Sequence, residues 1–192
     1  MEGSYTMKTC LNLVFIFLIS SLPLFASAEK CQLLPSDINE NLNLTWKEFD
    51  QTEGQGHRKL ALKGCFIEAA TLIDVYILHH QETLEKSLVR ILYFHAGQMY
   101  AYSELNSIAV QRMIKSLNPN EPLNPELNWN DYVQASVGFL QSDIEVIKLN
   151  RKNLAAGKPT QGNKINLSVV DQMIKCFGKP YSYAFGNPEL CQ

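Results

Sequence analysis

Histidines are the side chains of this sequence best suited to proton transfer or metal binding. There are four of them: His57, His79, His80 and His95. Metal ligands must converge to about 2 Å from one ion, but neighbouring residues of a helix such as His79 and His80 point about 100° apart. No H-E-x-x-H spacing occurs. We therefore expect no metal site, and we expect His95 to be a half-buried, hydrogen-bonded imidazole.

Two other motifs suggest chemistry but lack the residues that would complete it. The stretch from Gly54 to Lys59 places two glycines before cations, as in an anion-binding loop, yet no strand precedes it and no G-K-[ST] follows. No G-x-S-x-G sequence presents a serine nucleophile. The sequence predicts a flexible turn followed by exposed cations, with no catalytic residues and no cofactor.

Composition places the chain among ordinary globular domains. In 192 residues, 17 Lys and Arg face 19 Asp and Glu, and 46% of the residues are apolar. This length suits one domain, and the absence of a basic excess argues against a nucleic-acid partner.

The N-terminus carries the features of a secretory signal peptide over residues 1–28. Lys8 precedes the apolar stretch from Leu11 to Leu24, and the small residues Ala26-Ser27-Ala28 follow. Acidic Glu2 suits such a leader poorly, so translation from Met7 is the better start. No second apolar run of about eighteen residues occurs. We predict an exported protein, periplasmic or secreted, with one domain at residues 29–192 and no stable membrane insertion after cleavage.

Cysteine usage agrees with export. Cleavage after Ala28 removes Cys10 and leaves four cysteines: Cys31, Cys65, Cys176 and Cys191. In an oxidising compartment these are candidates for two disulfides, and four cysteines allow three connectivities. No C-x-x-C pair indicates a redox or zinc motif. We expect the sulfurs to be structural and the C-terminal tail to be fastened to the body of the protein.

Apolar residues recur at intervals of three and four along the mature chain, which predicts an all-α fold. We expect one amphipathic segment from Ile38 to Phe49, capping of a helix by Asn106 or Ser107, and another helix beginning near Asp143. Three prolines between residues 118 and 128 predict a connector. The polar stretch that ends at Lys164 reads as a loop, followed by a last helix from Asn166.

One central stretch resembles a tetratricopeptide repeat. Its pattern is Tyr93-x2-Ala96-Gly97-x2-Tyr100 followed by Ala109-x3-Met113 and Pro119, with a weaker copy from Tyr132 through Ser136 to Phe139. Such repeats place small residues, here Ala96, Gly97 and Ala109, where two antiparallel helices approach closely. A second weak copy, Gly64 with Ala69-x3-Ile73, precedes the central stretch. The spacing is forty residues from Ala69 to Ala109 and thirty-nine from Gly97 to Ser136, longer than the usual spacing of about thirty-four. The resemblance implies antiparallel helical hairpins stacked as a short array, with a C-terminal capping helix and tail.

The resemblance also implies a role in protein interaction or scaffolding. In helical-repeat proteins the first helix of each pair lines a concave face that receives a protein or peptide partner. The corresponding candidates here are Phe94, Gln98, Tyr102, Tyr132 and Gln134. The alternative is a small exported enzyme whose site is assembled from residues distant in sequence. Clustering of His57, His79 and His95 with an acid favours the enzyme, whereas an open groove of aromatic and amide side chains favours the binder.

Overall fold

The computed structural model describes residues 31–186 and 188–191, and every regular element among them is helical. The α-helices are α1 (Pro35–Leu42), α2 (Gly56–Ala61), α3 (Phe66–His80), α4 (Lys86–Tyr102), α5 (Asn106–Lys115), α6 (Trp129–Leu140), α7 (Ile144–Ala156), α8 (Gln161–Lys175) and α9 (Tyr181–Gly186). A π-helical turn spans Lys47–Gln51 and a 3-10 turn spans Pro188–Leu190. The all-α prediction is confirmed. The predicted signal peptide lies outside the described residues.

Helices that follow one another in sequence make the most extensive contacts, above all α3 with α4, α4 with α5, and α6 with α7. One continuous core runs through these pairs, and its largest fully buried side chains include Phe49, Tyr76, Leu92, Met113 and Ile147. Among the described helices, none has both the length and the apolar character needed to cross a bilayer.

The close helix crossing predicted at Ala96, Gly97 and Ala109 is present between α4 and α5. Both alanines are fully buried. A Cβ added to Gly97 would lie 3.0 Å from the Ala109 carbonyl oxygen and 3.2 Å from the Met113 amide nitrogen. In the weaker copy, Ser136 is buried and its hydroxyl donates to the Tyr132 carbonyl, while Gly138 makes the close approach to the start of α7. That these helices form antiparallel hairpins stacked as a tetratricopeptide-like array stays a prediction.

Helix α8 begins at Gln161, so the prediction of a loop up to Lys164 is wrong. Thr160 caps this helix, because its hydroxyl accepts from the Asn163 amide at 3.2 Å and donates to the Glu126 carbonyl at 2.9 Å. The Asn163 side chain is buried, and its Oδ1 accepts from the Asn128 amide at 2.8 Å. The polar residues that suggested a loop therefore form a buried network that ties α8 to the proline-containing connector.

Two other helix boundaries differ from the prediction, whereas one agrees with it. Helix α7 begins next to Asp143 as predicted, and Asp143 caps it by accepting from the amides of Glu145 and Val146. Asn106 is instead the first residue of α5, and neither it nor Ser107 caps the helix through its side chain. The predicted segment from Ile38 to Phe49 is divided into α1 and the π-helical turn, because Thr45 and Glu48 bond to each other at the break.

The two disulfides are Cys31–Cys65 and Cys176–Cys191, with Cα–Cα distances of 5.2 and 4.9 Å, within the usual range. This is one of the three connectivities that the sequence allows. The second bridge fastens the tail behind α9, where buried Tyr181 packs against Phe139 and Phe185. Two cysteine pairs at disulfide distance are compatible with an oxidising, exported location.

Replacing Gly97 with leucine should lower the free energy of unfolding by about 1–3 kcal/mol or more, because the added side chain collides with backbone atoms of α5. Gly186→Leu is the matched control, since nothing lies within 4 Å of a Cβ at that position. Urea unfolding of both variants measures the difference. Equal stability of the two variants would contradict a close α4–α5 crossing.

Replacing Cys176 and Cys191 together with serine should cost about 3 kcal/mol, the loop-closure entropy for a bridge across about 15 residues. Guanidinium unfolding of the oxidised double variant provides the measurement. Under strong reductant the parent protein and the variant should unfold at similar denaturant concentrations. If the parent does not lose stability on reduction, the bridge contributes nothing to the fold.

Candidate functional site

A buried carboxylate that contacts two imidazoles is the most unusual polar feature of the described structure. Oδ1 of Asp50 lies 3.0 Å from Nε2 of His57 and 2.7 Å from Nδ1 of His95. The side chain of Asp50 is fully buried, that of His57 is 3% exposed, and that of His95 is 20% exposed. We refer to these three residues as the Asp50 cluster.

Local backbone geometry brings the cluster together. Asp50 belongs to the π-helical turn, a conformation found often at functional sites. Gly56 has φ +51°, and a Cβ there would lie 1.9 Å from the Phe49 carbonyl oxygen. Only glycine allows α2 to start so close to the π-helical turn, and this approach places His57 against Asp50. The Cys31–Cys65 bridge encloses both residues in one covalent loop.

Two further side chains bond to Asp50. Nε2 of Gln51 donates to the second carboxylate oxygen, and Nε of Arg58 donates to the Asp50 backbone carbonyl. Arg58 is therefore partly buried and held through its Nε, contrary to the prediction of exposed cations after the glycines, whereas Lys59 is exposed as predicted. Every oxygen of Asp50 accepts at least one hydrogen bond.

These contacts determine the charges of the cluster. Burial raises the pKa of Asp50, but the hydrogen bonds and positive potential of His57 and His95 outweigh burial and hold this pKa well below the ordinary 3.8. Burial lowers the pKa of His57 below its ordinary 6.5, although Asp50 opposes the shift. At neutral pH Asp50 is an anion and His57 is a neutral imidazole.

The charge of Asp50 determines which ring nitrogens of His57 and His95 carry a hydrogen. An ionised carboxylate can only accept hydrogen bonds, so Nε2 of His57 and Nδ1 of His95 both carry the hydrogen that they donate to Asp50. Nδ1 of His57 is then an acceptor, buried without a partner. No described residue bonds to Nε2 of His95.

Among the residues that the structure describes, two sets of side chains have metal-ligand chemistry. In the Asp50 cluster the ligand atoms lie within 4.8 Å of one another, and two imidazoles with a carboxylate suit several transition metals. Metal-bound histidine usually donates its other N–H to an acceptor, and His57 has none, so the cluster fits mutual hydrogen bonding better. The second set, Cys31 and Cys65 with Glu68, offers no thiolates because its cysteines form a disulfide.

An open groove borders the cluster. It has a volume of about 490 Å³, and we call it the α2–α4 groove after the helices that supply most of its walls. The residues that line it are Gln51, Glu53, Arg58, Ala61, Leu62, Phe66, Met99 and Tyr102. Gln51 and Arg58 both bond to Asp50, so the groove and the cluster share a wall.

The five predicted concave-face residues divide into two groups. Phe94 and Tyr132 are buried and their rings contact each other, with centroids 5.1 Å apart, so they act in packing and have little surface for a partner. Gln98 and Tyr102 are half-buried and Gln134 is exposed. Tyr102 lines the α2–α4 groove, and Nε2 of Gln98 donates to the Tyr181 hydroxyl at 3.4 Å.

Of the histidines, only His57 and His95 cluster with an acid. His95 is half-buried and hydrogen-bonded, as predicted, but His79 is exposed and its ring contacts that of His80. Sequence reasoning missed Asp50, because its partners lie 7 and 45 residues away and form no local motif. The sequence feature that could have pointed to Asp50 is its position directly after Phe49, at the end of an apolar stripe.

Comparison with known proteins gives no similarity from which a class could be assigned: no family model, no curated protein and no solved structure matches the chain. The Asp50 cluster and the α2–α4 groove are therefore the features of the molecule that bear on its function.

Stability should fall as the pH is lowered below about 6.5, because the depressed pKa of His57 means that the unfolded chain binds a proton before the folded protein does. Protonation of Asp50 lowers the stability further below about pH 3.8, the pKa of this carboxyl in the unfolded chain, since its pKa in the folded protein is also depressed. Urea unfolding at several pH values measures both losses. His57→Gln should flatten the curve between about pH 7 and 5, whereas His79→Gln should leave it unchanged. Identical curves for the two variants would contradict this assignment.

Proposed function

We propose that the protein is an exported interaction module that binds a segment of a partner protein in the α2–α4 groove. The observation that carries the proposal is the lining of the groove, which combines aromatic, apolar and amide side chains around an open cavity. An open groove of aromatic and amide side chains is the feature that favours a binder over an enzyme. Tyr102 is common to the predicted concave face and to the groove.

One wall of the groove is apolar. The rings of Phe66 and Tyr102 stack with centroids 5.0 Å apart, and Met99 lies one turn before Tyr102 on α4. Leu62 borders this wall with 66% of its surface exposed. Covering a leucine side chain is worth about 1.5–3 kcal/mol, so a partner with an apolar anchor residue gains affinity here.

The opposite rim is polar and carries both signs of charge. Gln51 offers an amide, Glu53 a carboxylate and Arg58 a guanidinium. Of the guanidinium nitrogens, only Nε bonds to a described residue. A peptide with an apolar anchor flanked by polar residues would satisfy both walls. Because the groove is open, a segment lying along it would bury one face and leave the other in solvent, as in groove-bound peptides generally.

The fold supports this role in two ways. Consecutive helices pack against each other and approach closely at Gly97 and Gly138, which supports the hairpin arrangement from which binding arrays are built. The two cysteine pairs at disulfide distance suit a protein that works outside the reducing cytosol. A periplasmic or secreted scaffold that holds a partner protein is the role we propose for such a molecule.

Selection from a displayed library of random peptides tests the proposal. We expect the parent protein to enrich peptides with one large apolar residue and polar neighbours. Leu62→Glu should weaken the selected peptides at least tenfold, equivalent to about 1.4 kcal/mol, because it places a charge where the anchor docks.

Leu149→Glu is the matched control, because Leu149 is 59% exposed and lies on α7 outside the α2–α4 groove. It should leave peptide affinity unchanged. Failure to enrich any peptide, or equal weakening by both substitutions, would contradict binding in the groove.

A further inference from the structure

His95 is held in the orientation that a general base requires. Its Nδ1 donates to the buried Asp50 carboxylate at 2.7 Å, which fixes the ring and, in the neutral imidazole, leaves the lone pair on Nε2. A carboxylate that holds an imidazole in this tautomer is the recurring arrangement by which enzymes position a histidine base. Nε2 bonds to no described residue, and the side chain is 20% exposed.

His95 lies on the face of α4 that leads into the α2–α4 groove. His95, Gln98 and Tyr102 are spaced by three and four residues along α4 and share one face. Met99, one turn after His95, lines the groove together with Tyr102. A molecule lying on the apolar wall can therefore extend toward Nε2 of His95.

The guanidinium of Arg58 provides a fixed positive charge at the same groove. Arg58 lines the groove, and its Nε is committed to the Asp50 carbonyl. Its two terminal nitrogens bond to no described residue. A guanidinium held at one end and free at the other is suited to stabilise an oxyanion that develops beside it.

The nucleophile must come from solvent. No described serine, threonine or tyrosine hydroxyl bonds to Nε2 of His95, and the four described cysteines are joined in disulfides. A base with no protein nucleophile beside it can act on a water molecule.

We propose that His95, oriented by Asp50, is a general base that activates water to hydrolyse carboxylic esters whose apolar acyl group lies in the α2–α4 groove. This activity goes beyond partner binding and does not depend on it. Asp50 is a positioning residue, and His57, bonded to the same carboxylate oxygen, helps to keep Asp50 ionised.

The reaction conserves its atoms and charges. Nε2 of His95 takes a proton from water as the water oxygen bonds to the ester carbonyl carbon, and the carbonyl oxygen becomes an oxyanion beside Arg58. The oxyanion then re-forms the carbonyl, the bond to the leaving alkoxide breaks, and the alkoxide takes the proton from Nε2. The products are a carboxylic acid and an alcohol, and His95 returns to its starting state.

The reactivity of Nε2 can be measured without a substrate. Brief treatment with diethyl pyrocarbonate followed by peptide mass spectrometry reports the acylation rate of each histidine. We expect His95 to react faster than the exposed His79, even though it is more buried, and Asp50→Asn to abolish this advantage. A rate for His95 below that of His79 would overturn the proposal.

Hydrolysis is tested with p-nitrophenyl butyrate, using 4-methylimidazole at equal concentration as the reference. The parent protein should exceed the reference, and His95→Gln should lose about 100-fold or more in kcat, with His79→Gln unchanged. Asp50→Asn should lower kcat while leaving KM unchanged, which a general loosening of the fold would not do. Circular dichroism verifies that each variant is folded.

Other outcomes separate this proposal from its competitors. Activity no greater than the imidazole reference, or equal activity in His95→Gln and His79→Gln, overturns the general-base assignment. Loss of activity on adding EDTA also overturns it, since the Asp50 cluster would then hold a metal. Peptide selection with His95→Gln measures groove binding separately, so the failure of one proposal is distinguishable from the failure of the other.

Discussion

The burial of the Asp50 carboxylate is the constraint on which the N-terminal half of the structure depends. An unpaired charge in a protein interior costs several kcal/mol, so donors have to surround it. Those of the carboxylate are His57 on α2, Gln51 on the π-helical turn and His95 on α4, while Arg58 of α2 donates to the backbone carbonyl of the same residue. Because all of them converge on one residue, the short N-terminal elements are fixed against α4 and the α2–α4 groove acquires defined walls.

Aromatic packing also holds the short N-terminal elements against the longer helices. The rings of Phe49 and Tyr76 stack with centroids 3.8 Å apart, and the Tyr76 hydroxyl donates to the Leu44 carbonyl at 2.8 Å. Farther along the chain, Asp74 of α3 accepts from Arg112 of α5 at 2.7 Å and from the Tyr100 hydroxyl of α4 at 2.9 Å. Polar contacts of this kind determine the relative positions of helices that apolar packing alone would hold less specifically.

The helical fold and the close α4–α5 crossing could be predicted from the sequence, because both leave patterns among residues that are near each other in the chain. Periodicity marked the helices, and the small residues around Gly97 marked the point where α4 and α5 meet. Helix boundaries were less predictable where polar residues serve tertiary contacts, as Asn163 does at the start of α8. Disulfide pairing and the Asp50 cluster lay beyond local reasoning, since both join residues whose separation in sequence carries no spacing rule.

The Cys31–Cys65 loop has a practical consequence for anyone who prepares this protein. It encloses Asp50 and His57, whereas His95 lies outside it, so the hydrogen bond between Asp50 and His95 joins a covalently closed loop to the rest of the helices. Protein made in a reducing bacterial cytosol would lack the Cys31–Cys65 disulfide. The hydrogen bond between Asp50 and His95 would then have to hold a segment with much more conformational freedom. Recombinant samples should therefore be produced by secretion or refolded with oxidation before either partner binding or chemistry is assayed.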